Sequence, residues 1–374
     1  MRRSARILLI VAGALLLVCA FAALAAAISN RSLPGPAAAP ERLTPADATR
    51  LREALHLKEA LGEEVWPGWG RATIPVIVWN REYSFLVGVE AAPAGWEALP
   101  EGVDGLACYR RASSDPQNFA VRVGDAWAGS MATKEETDAF LIDMFRDMLP
   151  DPLEPIFPFR LLIQPSEVQI SGLLHETFHA YQATLAPERL TEAEAAHHHG
   201  DAYWQADPDM RADWRRETSL LSEALAAPSD GQAAALAADF LRARQERRAS
   251  HGLSAALIAY EQQLEWEEGL AKYVALAIWR AANESQGYLP VLTPAVDADF
   301  AAYRGFPKYW KQEVAQMRRQ AGREGETRFY YTGMAQAVLL DRLAPGWKAA
   351  ALADGAWVEG LLADAVSAFP QTMQ

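Results

Sequence analysis

Gln164-Pro165-Ser166-Glu167-Val168-Gln169 and, just beyond it, His175-Glu176-Thr177-Phe178-His179 form the stretch from which the rest of the chain can be ordered. It follows a short apolar run, Phe159 to Ile163, so the local pattern predicts strand, turn, then helix. Ser166 is placed to cap the helix, with Gln169 three residues on as its reciprocal partner, and the helix should run to Leu185, ahead of Pro187. Leu174, Phe178, Tyr181 and Leu185 fall at helical spacing and predict a core-facing stripe. His175 and His179 are four residues apart, so both imidazoles leave one face and can approach a single ion. Two imidazole nitrogens with a carboxylate and one open position are the ligand set of catalytic Zn²⁺. Glu176 lies beside that face, where its carboxylate can act as general base on the water that such an ion polarises.

Further along, a helix is expected from Ser254 to Ala281, and it carries Glu268-Gly269-Leu270-Ala271-Lys272-Tyr273. Periodicity does not choose among Glu265, Glu267 and Glu268 as the carboxylate ligand, but small Gly269 and Ala271 allow close approach of a second helix. Tyr330-Tyr331-Thr332-Gly333 opens another helix. The segments at His175, Glu268 and Tyr330 resemble, in order, the H-E-x-x-H, E-G-x-A-x-Y and Y-x-x-G elements of gluzincin-type zinc metallopeptidases of the zincin superfamily, aminopeptidase N-like enzymes among them. That resemblance implies a zincin-like fold in which His175, His179 and Glu268 hold Zn²⁺. Glu176 is then the general base, and Tyr330, with Tyr331 in reserve, offers its hydroxyl to the oxyanion. The chain departs from those enzymes in the long interval between His179 and Glu268, and in Lys272 where thermolysin-like enzymes have aspartate. It also lacks a Gly-Ala-Met-Glu-Asn element, so the resemblance does not extend to aminopeptidase specificity.

Working back to the start, Arg2, Arg3 and Arg6 precede an uncharged apolar run from Ile7 to Ile28, about 33 Å long as a helix and enough to span a bilayer. The basic flank predicts an anchor with everything after it outside the cytoplasm. Ala23, Ala25 and Ala27 offer a cleavage site as the rival reading, which would make the domain secreted. The Pro- and Ala-rich stretch from Ser32 to Thr44 suits a spacer. β-Rich runs at Ile74 to Trp79, Tyr83 to Val89, Leu106 to Arg110, Phe119 to Val123 and Trp127 to Met131 predict a strand-rich lobe. The expected organisation is an anchor over 1–30, spacer and leading helix over 31–70, the strand-rich lobe over 71–158, and a mainly helical zincin-like metal-binding lobe over 159–374.

A net charge of −13 makes nucleic acid an unfavourable partner. Cys108 is the only cysteine beyond the apolar run, so neither a disulfide framework nor a cysteine-rich metal site is expected. Between Leu190 and Arg248 the composition is helical, with mixed charges that a solvated face would explain. His197, His198 and His199 cannot all face one ion from a regular helix, and a solvent-exposed turn is expected in preference to a second metal site. The reading is therefore an α+β protein: a membrane-anchored, extracytoplasmic zinc hydrolase acting on a peptide or protein substrate, with Phe159 to Ile163 as a candidate edge strand for it. The alternatives are a non-catalytic binding or scaffolding protein on the same fold and a hydrolase of non-peptide amides.

Overall fold

The computed structural model describes residues 2–33, 39–114, 116–205 and 209–369. Its helices include α1 (Arg2–Ser29), α2 (Pro45–Val65), α3 (Lys134–Met148), α4 (Ser166–Leu185), α5 (Pro187–Ala196), α6 (Gly200–Gln205), α7 (Met210–Ala226), α8 (Asp230–Ser250) and α9 (Ala255–Leu264). α10 (Leu270–Glu284), α11 (Phe306–Gln320), α12 (Thr327–Leu343), α13 (Lys348–Ala351) and α14 (Val358–Ala368) follow. The strands are β1 (Val76–Trp79), β2 (Tyr83–Val87), β3 (Glu97–Ala98), β4 (Cys108–Ala112), β5 (Phe119–Val123) and β6 (Ala126–Ala132). The class is α+β, mostly helical, with one sheet.

Each of the five β-rich runs is a strand, and the two-residue β3 is added beside β4. The sheet is mixed, in the order β3-β4-β2-β1-β6-β5, with β1 and β6 parallel and the other neighbours antiparallel. Asn80 closes the β1–β2 turn, its Oδ1 accepting from the backbone N–H of Glu82 (3.0 Å) and Tyr83 (2.8 Å). Val76, Val78, Phe85 and Val87 from the sheet share one hydrophobic core with Ile170, Leu174 and Phe178 of α4 and with Val274 and Ile278 of α10.

α4 is the central helix, packed against β5, β6, α2, α5 and α10. Leu174, Phe178 and Tyr181 are buried as the stripe predicts, whereas Leu185, at the end of the helix, is exposed. The helix reaches closest to the sheet at Gly129 of β6, where a Cβ would lie 2.6 Å from the Thr177 amide nitrogen. Only glycine lets strand and helix backbones approach so nearly. The start of α4 differs from the expected capping pair. Ser166 is already inside the helix and its Oγ donates to Asp297 Oδ2 (2.7 Å), which also accepts from Arg50 Nε (2.7 Å). Gln169 turns away to donate to the Ala132 carbonyl. Glu167 accepts from the backbone N–H of Ala301 (2.7 Å) and Tyr303 (3.1 Å), steadying Ala302 and Tyr303 in left-handed conformations that L side chains disfavour.

Phe159 to Ile163 is not a strand. Phe159–Leu162 is a 3₁₀ turn, with the Leu161 amide donating to Pro158 O (3.0 Å) and the Ile163 amide to Arg160 O (3.3 Å). Pro158 and Pro165 bracket the run, and proline lacks the N–H that a ladder needs. The expected anchor falls on α1, but no helix among the described residues is long and apolar enough to cross a membrane. The first ten side chains, where the Ile7 end of that span begins, lie outside the described set, as do residues 34–38 of the spacer.

The helical stretch from Leu190 to Arg248 departs from its predicted solvated face. Arg244 and Arg247 are buried, and both bond Glu217, which is itself buried. Arg244 grips Glu265 with two nitrogens (2.8 and 2.6 Å), and Arg247 reaches Glu261 (2.7 Å) while lying 4.1 Å over the Trp214 ring. A buried guanidinium is tolerated only when its donors are satisfied in this way. Glu359 closes the cluster from α14, accepting from Arg248 twice (2.9 Å each) and from Arg244 (3.0 Å). Burial works to raise the pKa of Glu359, but Arg244 and Arg248 outweigh it and hold the carboxyl at about 2. A carboxylate depressed below its ordinary value of about 4.3 contributes stability that is complete above that pH and is lost as pH falls toward the folded value. Glu359→Gln should therefore be less stable than wild type at pH 7 by urea denaturation, with the gap closing between about pH 4.3 and 2. A gap that stays constant over that window would show that the ion pair contributes nothing.

Candidate metal centre

α9 and α10 are one helical rod interrupted by a single π turn, Glu265–Gly269. A π turn admits one extra residue and changes the direction in which the following side chains project. All five of its residues are buried, and its acidic side chains diverge. Glu265 enters the Arg244 cluster, where Thr332 also donates to it and Gln336 Nε2 donates at 2.8 Å. Glu267 meets His197, with His197 Nε2 3.2 Å from Glu267 Oε2. Glu268 meets the histidines of α4. The turn is seated against α12 through Gly269 and Gly333, each of which would place a Cβ under 3 Å from the other's Cα.

His175 Nε2 lies 3.1 Å from Glu268 Oε2, His179 Nε2 lies 3.3 Å from the same oxygen, and the two nitrogens are 3.0 Å apart. A tetrahedral ion with bonds of 2.0 to 2.1 Å separates its ligands by about 3.3 Å, so the three atoms already stand near the spacing of one tetrahedral face. These residues could thus hold a metal ion, offering it two imidazole nitrogens and one carboxylate oxygen. Lys272, which could have neutralised Glu268 one turn away, forms its ion pair with Glu313 instead.

The electrostatics agree with a cation-seeking pocket. Burial opposes ionisation of Glu268, yet His179 and His175 hold its pKa well below the usual range. Burial lowers the pKa of His175, whereas at His179 the same desolvation is overcome by Glu268 and the other carboxylates nearby. Glu176 is buried beside this group with Oε2 unbonded, and burial pushes its pKa up to about 8.

Tyr330 stacks its ring on His175, 6.2 Å between centroids and 4° between planes, and burial together with a hydrogen bond to Glu268 raises its pKa far above that of a free phenol. Tyr331 points elsewhere, with the Lys272 ammonium 4.6 Å over its ring. The structure therefore brings His175, Glu176, His179, Glu268 and Tyr330 to one place and leaves Tyr331 out. The His198 and His199 rings lie 3.8 Å apart, tilted by 41°, on the 3₁₀ turn His197–His199, and neither belongs to the triad. Two hollows of about 640 and 890 Å³, the first beside Trp310 and the second beside Lys58, have no member of the triad in their walls.

Two residues outside the sequence motifs complete the site. Gln182 accepts from His179 Nδ1 (3.0 Å) while its Nε2 donates to Trp266 O (2.9 Å), which fixes the amide orientation and the imidazole tautomer together. His179 Nε2 is thereby left with its lone pair toward the triad. Gln182 lies seven residues after His175, on the ligand face, and that spacing was the available signal. Phe119 of β5 packs 4.6 Å from the His179 ring. No family model, curated protein or solved structure matches this chain.

Gln182→Ala should weaken metal binding about 10- to 100-fold while the fold is kept, read by competition with a chromophoric chelator. Unchanged affinity would mean that the tautomer is fixed by something else.

Proposed function

We propose that this chain is a zinc-dependent peptidase of the gluzincin type, with its domain held outside the cytoplasm by α1. The observation that carries the reading is the 3.0 to 3.3 Å spacing of His175 Nε2, His179 Nε2 and Glu268 Oε2, with the unbonded Glu176 carboxylate beside them. When bound, Zn²⁺ would supply Lewis acidity to a substrate carbonyl and lower the pKa of a water.

The protein's own groups supply the remainder of the chemistry. Glu176 takes the proton from the attacking water and delivers it to the leaving amine, its Oε2 having no other hydrogen-bond partner. Tyr330 donates its hydroxyl to the oxyanion that develops on the carbonyl. Gln182 keeps His179 in the ligating tautomer. Among the described residues β5 is the terminal strand of the sheet and pairs with β6 alone, so its other edge is the place for an extended peptide to add. Phe119, which touches His179, stands at the start of that edge and takes the role expected of Phe159 to Ile163.

For the anchor, support comes from α1 itself. Leu15, Leu16, Leu17, Val18 and Phe21 are all exposed, an arrangement that water penalises and lipid accepts. At its end Asn30 Nδ2 donates to Phe157 O (2.8 Å), fastening it to a segment on which Leu153, Ile156 and Leu161 are exposed too.

Glu176→Gln should retain zinc while hydrolysis of a mixed peptide library falls 10²-fold or more, and Tyr330→Phe should cost about 10 to 10³-fold in kcat. Zinc bound with no hydrolysis by wild type would favour a binding protein on this scaffold, and zinc absent from wild type would remove the reading altogether. Protease added to intact cells should reach the domain, and N-terminal sequencing should find the chain beginning near Met1. A start near Ala26 or Ile28 would replace the anchor with a cleaved signal.

A further inference from the structure

Beside the triad, the neighbouring carboxylate of the same π turn faces a second group of ligand atoms. Glu267 has a fully buried side chain, and one of its oxygens, Oε1, has no hydrogen-bond partner. His197 Nε2 lies 3.2 Å from its other oxygen and 3.8 Å from Glu194 Oε1. One ligand atom from each of Glu194, His197 and Glu267 falls within 4.8 Å of the others. Behind the imidazole, His197 Nδ1 lies 2.9 Å from Glu326 Oε2, and the Tyr260 hydroxyl donates to Glu326 Oε1 (2.9 Å). This is the carboxylate–histidine arrangement that orients an imidazole for a metal, with Nδ1–H donated outward and the Nε2 lone pair turned toward the other ligands.

Charge balance points the same way. With His197 protonated, one imidazolium would face three carboxylates, and the buried Oε1 of Glu267 would remain unsatisfied. A divalent ion on neutral His197 answers both needs, because a buried carboxylate oxygen without a donor is costly and a cation can take its lone pair. Glu194 is half exposed and His197 a third exposed, leaving the position open to solvent for entry and for water ligands. One nitrogen with two carboxylates suits a transition ion such as Zn²⁺ or Mn²⁺ better than calcium, which prefers oxygen alone.

We propose that His197, Glu267 and Glu194, oriented by Glu326, form a second divalent transition-metal site, separate from that of His175, His179 and Glu268. Its place in the fold gives it a structural role. It joins the end of α5 to the π turn that carries Glu268, so an ion there would pin the long segment between the two halves of the first site.

The test is metal stoichiometry on the purified full-length chain, stripped by chelator and dialysed against Zn²⁺ alone. Wild type should bind two equivalents, His197→Ala one, and the double variant His175→Ala/His179→Ala one that is lost when His197→Ala is added. Glu194→Ala, a surface change that leaves the core untouched, should weaken the second equivalent at least 10-fold, and Glu326→Gln about 10- to 100-fold. If the first-site reading fails and this one holds, the single bound equivalent will vanish in His197→Ala and persist in His175→Ala. A stoichiometry unchanged by both His197→Ala and Glu194→Ala overturns the proposal and leaves His197 as an imidazolium bridging Glu267 and Glu326. Should His197→Ala fail to fold, Glu194→Ala decides alone.

Discussion

Five residues, Glu265–Gly269, drive three carboxylates into the protein interior, and each must be met by positive charge or by donors. A buried carboxylate left alone costs several kcal/mol, so the surrounding helices are arranged to answer these three. Arg244 comes from α8 for Glu265, His197 from the end of α5 for Glu267, and His175 with His179 from α4 for Glu268. The π turn widens the angle between Glu265 and Glu268, so that the three leave one turn of the rod in three directions. An uninterrupted α-helix would place Glu265 and Glu268 nearly one above the other.

The close contacts serve the same arrangement. Gly129 lets the sheet touch the backbone of α4 beside Glu176, and Gly269 against Gly333 lets α12 touch the π turn, carrying Tyr330 to His175. Neither contact adds chemistry. Both set the distance at which the chemistry operates, and a single methyl group at either would force the elements apart.

The parts of this design legible in the sequence were those that depend on local spacing. The strands announced themselves by β-branched and aromatic runs between turn residues, and His175 with His179 by their four-residue interval. What remained hidden was what depends on tertiary context. A π turn has no periodic signature of its own, so Glu265, Glu267 and Glu268 could not be ranked by pattern, and each proves to have a different partner. Phe159 to Ile163 looks like a strand because it is apolar, yet between two prolines it closes into a 3₁₀ turn. The sequence places Arg244 and Arg247 on a solvated face, because mixed charge on a helix usually lies there. Their spacing nonetheless continues the buried series Ala233, Ala237 and Phe240 along α8, and that register was the signal of burial.

The ligand triad joins His175 to Glu268 across 93 positions of chain, and the interval between them contains α5 to α9. Loop closure over such a span is unfavourable until the intervening helices have compacted, and non-local contacts of this kind form slowly. The pocket therefore closes only once these non-local contacts have formed. Until those helices are in place α4 presents only His175 and His179, so the full set of three candidate ligands exists only in an architecture already closed around its place.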